Sequence, residues 1–278
     1  MLLQPQEVLE NNMNNSIVKV NLSMGKMVSL GILAGAFIAF GAQVSSVAAH
    51  SIDNVGIARY VMGLVFPIGL IMITMIGGEL FTGNCLMIMS VLSKRITWGK
   101  FGKSMCIVYL ANAVGAFVVA ILIYSSGQLG YSSGGLGAYV IKTAYAKISL
   151  TPMQCFTSGI LCNIMVCLAI LMAQSTKSAT GKIISIFFPI CVFVISGFEH
   201  CVANMYYIPA GMLAATNQDY VNKAETLYHI TKEQCASINF LSTMKNLIPV
   251  TIGNVVGGAV CIGMLLYYIR IKKSVVKS

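Results

Sequence analysis

Charge is what this sequence has least of. Only 9% of its 278 residues are Asp, Glu, Lys or Arg, against about 25% in a typical soluble domain. So few charges cannot cover a water-exposed surface, which excludes an ordinary globular fold. Disorder is excluded too, because it needs a polar and charged chain. Histidine is scarce, at three residues, and the nine cysteines include no CxxC pair. The common zinc and haem patterns are therefore missing, and no metal or cofactor is expected. Cysteines such as Cys106, Cys162, Cys167, Cys191 and Cys261 lie within apolar stretches and read as small buried apolar residues. There is no basic run with interleaved aromatics, so the net charge of +10 does not point to nucleic acid. The first twenty residues, with Glu7, Glu10 and the Asn-rich run 11–15, lack the pattern of a signal peptide.

What the chain has instead is apolar length. Hydrophobic residues make up 57% and the mean hydropathy is +0.81, which predicts a protein embedded in membrane lipid. At ~20 residues per span there is room for about six helices. Apolar stretches fall at 26–49, 60–93, 104–126, 154–174, 182–213 and 246–269. An even number of spans puts both termini on one side. That side collects Lys19, Lys26, Lys94, Arg95, Lys100, Lys103, Lys177, Lys182, Arg270, Lys272, Lys273 and Lys277. The other side has Arg59, Lys142, Lys147, Lys223, Lys232 and Lys245. The imbalance predicts a multi-pass protein of the cytoplasmic membrane with both termini in the cytoplasm. The expected organisation is an N-terminal cytoplasmic segment (1–23), one transmembrane domain (24–272) and a short tail (273–278). On the outer side, the second connection holds a Gly/Ser-rich stretch (125–137), and the last is the longest and most polar (214–244).

The two halves of the chain match in order. Gly31-Ile32-Leu33-Ala34-Gly35 in the first span resembles Gly159-Ile160-Leu161-Cys162-Asn163 in the fourth. Glu79-x4-Asn84 follows Gly77-Gly78 in the second, and Glu199-x4-Asn204 follows Gly197-Phe198 in the fifth. Asn112-Ala113-Val114-Gly115 in the third answers Asn254-Val255-Val256-Gly257 in the sixth. Three matches in sequence predict a duplicated three-helix unit, one copy about 24–126 and the other about 154–272. Three is odd, so the second copy enters from the opposite face. The expected fold is an all-α membrane protein built as a 3+3 inverted repeat. Interrupted segments at matching positions of such halves point to a site near the midplane. Here they are Phe66-Pro67 leading to Gly77-Gly78-Glu79 and Phe188-Pro189 leading to Gly197-Phe198-Glu199. Spans two and five are therefore expected to break into loops.

Of the acidic residues only Glu79 and Glu199 lie within apolar stretches, and an intramembrane carboxylate needs partners. Two readings stand for them: caps that stabilise the loops together with Asn84 and Asn204, or proton carriers. His200 is the one histidine within an apolar stretch. It is either a satisfied core residue or a group that handles a proton near neutral pH. Lys147 precedes the fourth span and is either an interfacial residue snorkelling to water or part of a pathway. A lysine at one end of an apolar passage and a histidine midway would suit a small monovalent anion.

The motifs resemble those of the formate/nitrite transporter family. Gly77-Gly78-Glu79-Leu80-Phe81-Thr82-Gly83-Asn84 resembles its first loop. Ser196-Gly197-Phe198-Glu199-His200-Cys201-Val202-Ala203-Asn204-Met205-Tyr206 resembles its second. Asn246-Leu247-Ile248-Pro249-Val250-Thr251-Ile252-Gly253-Asn254 resembles the signature of its sixth span. The resemblance covers nearly all of residues 20–272, and within the family it is most similar to the hydrosulfide channels. It implies an aquaporin-like protomer, a homopentamer with one pore per protomer, and passage of hydrosulfide, formate or nitrite. By residue it implies His200 and Thr82 at the centre of the pathway, with Lys147 and Asn163 along it. Phe66, Leu70, Leu80, Phe81 and Phe193 would form two apolar constrictions. Gly83-Asn84 departs from the Ser-Thr of some formate channels, which bears on both substrate and gating.

The function expected is a channel, not an enzyme, with hydrosulfide as first candidate and formate or nitrite next. Lys147 would draw in the anion, and His200, directly or through Thr82, would handle a proton. A formate or nitrite channel, or an anion–proton symporter, is the alternative. An aquaporin-type solute channel lacks its usual Asn-Pro-Ala pair here. A membrane enzyme would need a nucleophile, base and orienting group, or a metal constellation, which one histidine and two distant carboxylates do not supply.

Overall fold

The computed structural model describes residues 2–271. The expected tail at 273–278, and Lys272, Lys273 and Lys277 of the charge count, lie outside the described residues. Regular structure among the described residues is helical, apart from an isolated bridge between Leu2 and Thr176.

Helix α1 (Pro5–Val20) starts at a proline, and the Glu7 carboxylate accepts the Gln4 N–H at 2.8 Å. Its buried face carries Val8, Leu9 and Met13. It is tied to the bundle by Asn12 to Gln174 (3.2 Å), Ser90 to the Met13 carbonyl (3.0 Å) and the Arg95–Glu10 ion pair (2.6 Å). Ser23 caps α2 (Met24–Ala49). Next come α3 (Val55–Val65) and α4 (Ile68–Ile76), joined through Phe66-Pro67. Pro67 has no N–H to offer the Gly63 carbonyl four residues back. That carbonyl instead accepts the Cys191 thiol at 2.8 Å.

The chain leaves helical geometry at Gly77 (φ 97°) and resumes as α5 (Phe81–Asn84), a 3-10 turn (Cys85–Met87) and α6 (Ile88–Leu92). A long α7 (Trp98–Ser125) follows. The Gly/Ser-rich connection then folds into α8 (Tyr131–Ile148), its first turn bent by left-handed Ser132, Ser133 and Gly134. This helix carries Lys147 in its last turn. Its glycine-rich start masks it in the sequence.

Helix α9 (Pro152–Gln174) opens with a reciprocal capping box between Thr151 and Gln154. Helix α10 (Ala179–Ser196) runs through Pro189 and ends at left-handed Gly197 (φ 71°), and α11 (Cys201–Ala214) resumes after His200. Both segments leave helical geometry at a glycine, Pro67 separates α3 from α4, and Pro189 is carried inside α10. The long polar connection folds into α12 (Gln218–Tyr228) and α13 (Lys232–Ala236). Last is α14 (Phe240–Val255), which continues as wider π-helical turns over Val256–Met264 and Tyr267–Ile271.

Among the described residues six segments are long and apolar enough to cross a bilayer: Met24–Ala49, Val55–Ile76, Trp98–Ser125, Pro152–Gln174, Ala179–Ser196 and Phe240–Ile271. Small residues bring their backbones together, as membrane helices require. A Cβ on Gly31 of α2 would lie 2.6 Å from that of Ala111 on α7, and one on Gly159 of α9 would lie 2.7 Å from the Val250 carbonyl on α14. Each of these close helix pairs is bonded to one of the non-helical segments, α2 and α7 to 77–80 and α9 and α14 to 197–200.

Candidate functional site

Each interruption is held by the same set of bonds. At 77–80, Asn112 of α7 donates to the carbonyls of Gly31 and Glu79, both at 2.8 Å, and accepts the Phe81 N–H at 2.9 Å. At 197–200, Asn254 of α14 donates to the carbonyls of Gly159 (2.7 Å) and Glu199 (3.0 Å) and accepts the Cys201 N–H at 2.9 Å. Both asparagines are fully buried. Backbone groups freed by a helix break have no water to turn to inside a bilayer, so such side chains must satisfy them.

The two glutamates are buried and paired. Glu79 accepts from Asn84 at 2.8 Å and from Lys19 at 3.2 Å, and Lys19 also donates to the Asn84 oxygen at 2.8 Å. Glu199 accepts from Asn204 at 2.6 Å and from Lys147 at 2.9 Å. Lys147 lies against the Tyr207 ring, 5.1 Å from its centre. The Lys19 side chain is 33% exposed and that of Lys147 15%, so the second pair is the better shielded. The Glu199 N–H donates to Ser158 Oγ at 3.0 Å, whereas the Glu79 N–H uses the Leu30 carbonyl at 3.1 Å.

Lys19 is the residue missed in the sequence, where it counts only toward orientation. A signal is there. Lys147 stands twelve residues before Gly159, and Lys19 stands twelve before Gly31. Ser23 and Thr151, which cap the two following helices, keep the same spacing.

Between the loops, His200 and Thr82 meet, with Nε2 and Oγ1 2.9 Å apart. His200 precedes the first turn of α11, and its Nδ1 accepts the Ala203 N–H at 3.1 Å. A nitrogen that accepts there carries no proton, so the neutral ring holds its proton on Nε2 and donates it to Thr82. The Thr82 hydroxyl proton is then free to point elsewhere. Placing a second proton on Nδ1 would cost the Ala203 bond.

Two cavities with no lining residue in common lie near this pair: His200 lines one, Leu80 and Gly83 line the other, and Thr82 itself lines neither. One, of about 310 Å³, is lined by Leu70, Leu80, Lys19 and Asn84. The other, of about 450 Å³, is lined by Phe66, Phe193, His200, Lys147, Glu199 and Asn204. Phe66 and Phe193 stack edge to face with ring centres 5.5 Å apart, and Phe193 lies 6.0 Å from the His200 ring. The expected constriction residues thus divide, Leu70 and Leu80 toward one cavity and Phe66 and Phe193 toward the other. Phe81 lines neither cavity and packs on Tyr109 at 4.8 Å. Asn163 also lines neither. It donates to the carbonyls of Thr82 (3.2 Å) and Asn254 (2.6 Å). Among the described residues no group of three or more His, Cys, Asp or Glu side chains is placed to hold a metal ion.

The profile of the formate/nitrite transporter family matches residues 6–268. The chain belongs to that family. A formate channel FocA of Haemophilus influenzae is 38% identical over 96% of this chain and 94% of its own length. FocA of Escherichia coli K12 is 35% identical over 90% and 88%. Formate channel BtFdhC of Bacillus thuringiensis is 33% identical over 95% and 94%. Among solved structures, a pentameric formate channel with formate bound superposes with a TM-score of 0.79 at 32% identity, covering 88% of this chain and 97% of that one. An ion channel of the same family gives 0.80 at 28% identity, with 94% and 98% covered. These names are those of transporters and channels. With six bilayer-length helices, this family member is a multi-pass membrane protein.

Proposed function

We propose that this protein is a channel for small monovalent weak-acid anions, with its narrowest part at the Thr82–His200 pair. What supports the reading is a pair of cavities, each bearing a lysine and apolar side chains, one lined by His200 and the other by Leu80 and Gly83, which flank Thr82 along the chain. Leu70 and Leu80 form one constriction and Phe66 and Phe193 the other. Lys147 draws the anion into the larger cavity and Lys19 into the smaller, each anchored by its glutamate. Glu79 and Glu199 are then loop supports, not proton carriers, because each is engaged by a lysine and an asparagine. His200, held neutral by its bond to Ala203, orients Thr82, whose hydroxyl is offered to the anion where water is excluded. A further proton can join the ring only at Nδ1, at the cost of the Ala203 bond, so at this point the Thr82 hydroxyl gives the anion a hydrogen bond and not a proton. Asn163 positions the Thr82 backbone.

In this reading the matched bonds of Asn112 and Asn254 descend from a 3+3 inverted repeat, whose second and fifth spans are broken at 77–80 and 197–200. A spacing of 128 residues relates Lys19 to Lys147 as it relates Gly31 to Gly159. It extends the repeat backward to include α1 and α8. The fold is aquaporin-like, both termini lie in the cytoplasm, and α1 gates the smaller cavity. The assembly is a homopentamer, a reading supported by the superposed formate channel, which is itself pentameric.

Formate leads among substrates because the similar proteins are named formate channels. Hydrosulfide is the second reading, carried by the resemblance of the motifs and by Gly83-Asn84 in the first loop. Nitrite is a third candidate from the family. Flux of formate, hydrosulfide and nitrite into proteoliposomes across a range of pH decides among them. Passage of uncharged solutes alone, with none of the three anions carried, would overturn the proposal.

A further inference from the structure

Lys147, a cation lining the larger cavity, is 2.9 Å from the Glu199 carboxylate. The carboxylate tempers, without abolishing, the attraction that Lys147 offers an arriving anion. The same cavity is lined by two further cations, Arg59 and Lys142, and neither has a carboxylate partner among the described residues. Each is instead held by a neutral group. The Arg59 guanidinium donates to the Ile195 carbonyl at 3.3 Å, at the last turn of α10. The Lys142 ammonium lies 4.4 Å from the centre of the Tyr228 ring and 5.5 Å from that of Tyr139. Carbonyl and π partners fix a cation in place without cancelling its charge. Both positions therefore keep donors and full charge at the cavity wall. Asp53 is the opposing carboxylate on that wall.

The smaller cavity has no such arrangement. Among the described residues its one charged lining residue is Lys19, and Lys19 is paired with Glu79. The two ends of the pathway thus differ in unpaired positive charge. Focused charge in a cleft with apolar walls raises the local concentration of counter-ions.

We propose that Arg59 and Lys142 form an outer anion station, a binding site for small carboxylates and similar monovalent anions that loads the larger cavity before Lys147. The proposal rests on the reading of the chain as an anion channel. It makes capture of the anion more efficient from the Lys142 face than from the Lys19 face.

The test uses full-length protein in proteoliposomes, with sidedness fixed by protease accessibility of an N-terminal tag. Unidirectional uptake of radiolabelled formate is measured from each face, for wild type, Arg59→Gln/Lys142→Gln and Asp53→Asn. The double variant is expected to raise the half-saturating formate concentration about 3–10-fold for uptake from the Lys142 face, leaving the other face unchanged. Asp53→Asn is expected to lower it on the same face. Added gluconate at about 0.5 M should erase these differences, since the exposed charges are then screened. Equal shifts on both faces, or none on either, would overturn the station. Carbon-13 line broadening of formate by the solubilised protein gives a readout independent of flux. Binding lost in the double variant supports the station even if no flux is found, which would then sink the channel reading alone. Formate binding identical in wild type and double variant would sink the station.

Discussion

The loops at 77–80 and 197–200 share a frame and differ in what they present. Asn112 and Asn254 each bridge two carbonyls and one N–H, and each glutamate takes a lysine and an asparagine. The contents then diverge. Leu80 precedes α5 where His200 precedes α11, and Gly35 stands in α2 where Asn163 stands in α9. The duplicated frame holds broken backbone in an apolar setting, which is a structural demand common to both halves. The unequal positions are those that touch the central pair: His200 supplies one member, and Asn163 holds the other's carbonyl. Structural need is thus met twice, while the central pair takes one residue from each half, Thr82 and His200.

The largest effect should come from breaking the frame. Replacing Asn112 or Asn254 by leucine orphans several buried backbone groups, each costing about 1–3 kcal/mol. Either variant should fail to give folded protein, checked by yield and by melting in detergent. Comparable losses in both halves are expected, and a well-folded variant of either kind would break the comparison.

Next are the lysines. Removing one partner of a buried ion pair strands the other's charge. Lys147→Met, from the better shielded pair, should lower the melting temperature more than Lys19→Met. The reverse order would contradict the ranking by exposure. Both variants should also weaken anion uptake, each from the face nearest its own cavity.

A smaller stability effect with a large functional one is expected at His200. His200→Leu copies the residue of the first loop, loses the bond to the Ala203 N–H, and leaves Thr82 without its partner. Melting should shift modestly, by the loss of a helix cap worth about 1 kcal/mol, while formate flux falls at least about tenfold. Leu80→His, by contrast, should not create a second working centre, because Val202, at the spacing from His200 that Thr82 has from Leu80, carries no hydroxyl. The smallest change is Thr82→Ser, which keeps the hydroxyl and should retain flux and its pH dependence.

Much of this is legible in the residues alone. The Glu-x4-Asn spacing puts the amide one helical turn beyond the carboxylate, and in both loops the two meet. Glycine pairs and steps mark the breaks, as Gly77 and Gly197 adopt positive φ there. Asn112 and Asn254 are visible only as markers of repetition, because a three-way bridge depends on how two helices cross. Lys19 is hidden by context: a lysine near a terminus reads as an orientation charge until its partner on a distant loop is seen. Arg59 and Lys142 are hidden in the same way. Helix α8 is masked because Ser132, Ser133 and Gly134 look like linker, and the bonds by which Asn163 ties Thr82 to α14 depend on how the helices pack.

The central claim is that Thr82, oriented by His200, meets the anion at the narrowest point. It is tested most directly by formate flux in proteoliposomes of Thr82→Val, a substitution that keeps shape and removes only the hydroxyl. The account predicts a flux reduced at least about tenfold at every pH, with melting temperature and oligomeric state as in wild type. Wild-type flux with an unchanged pH profile would contradict it.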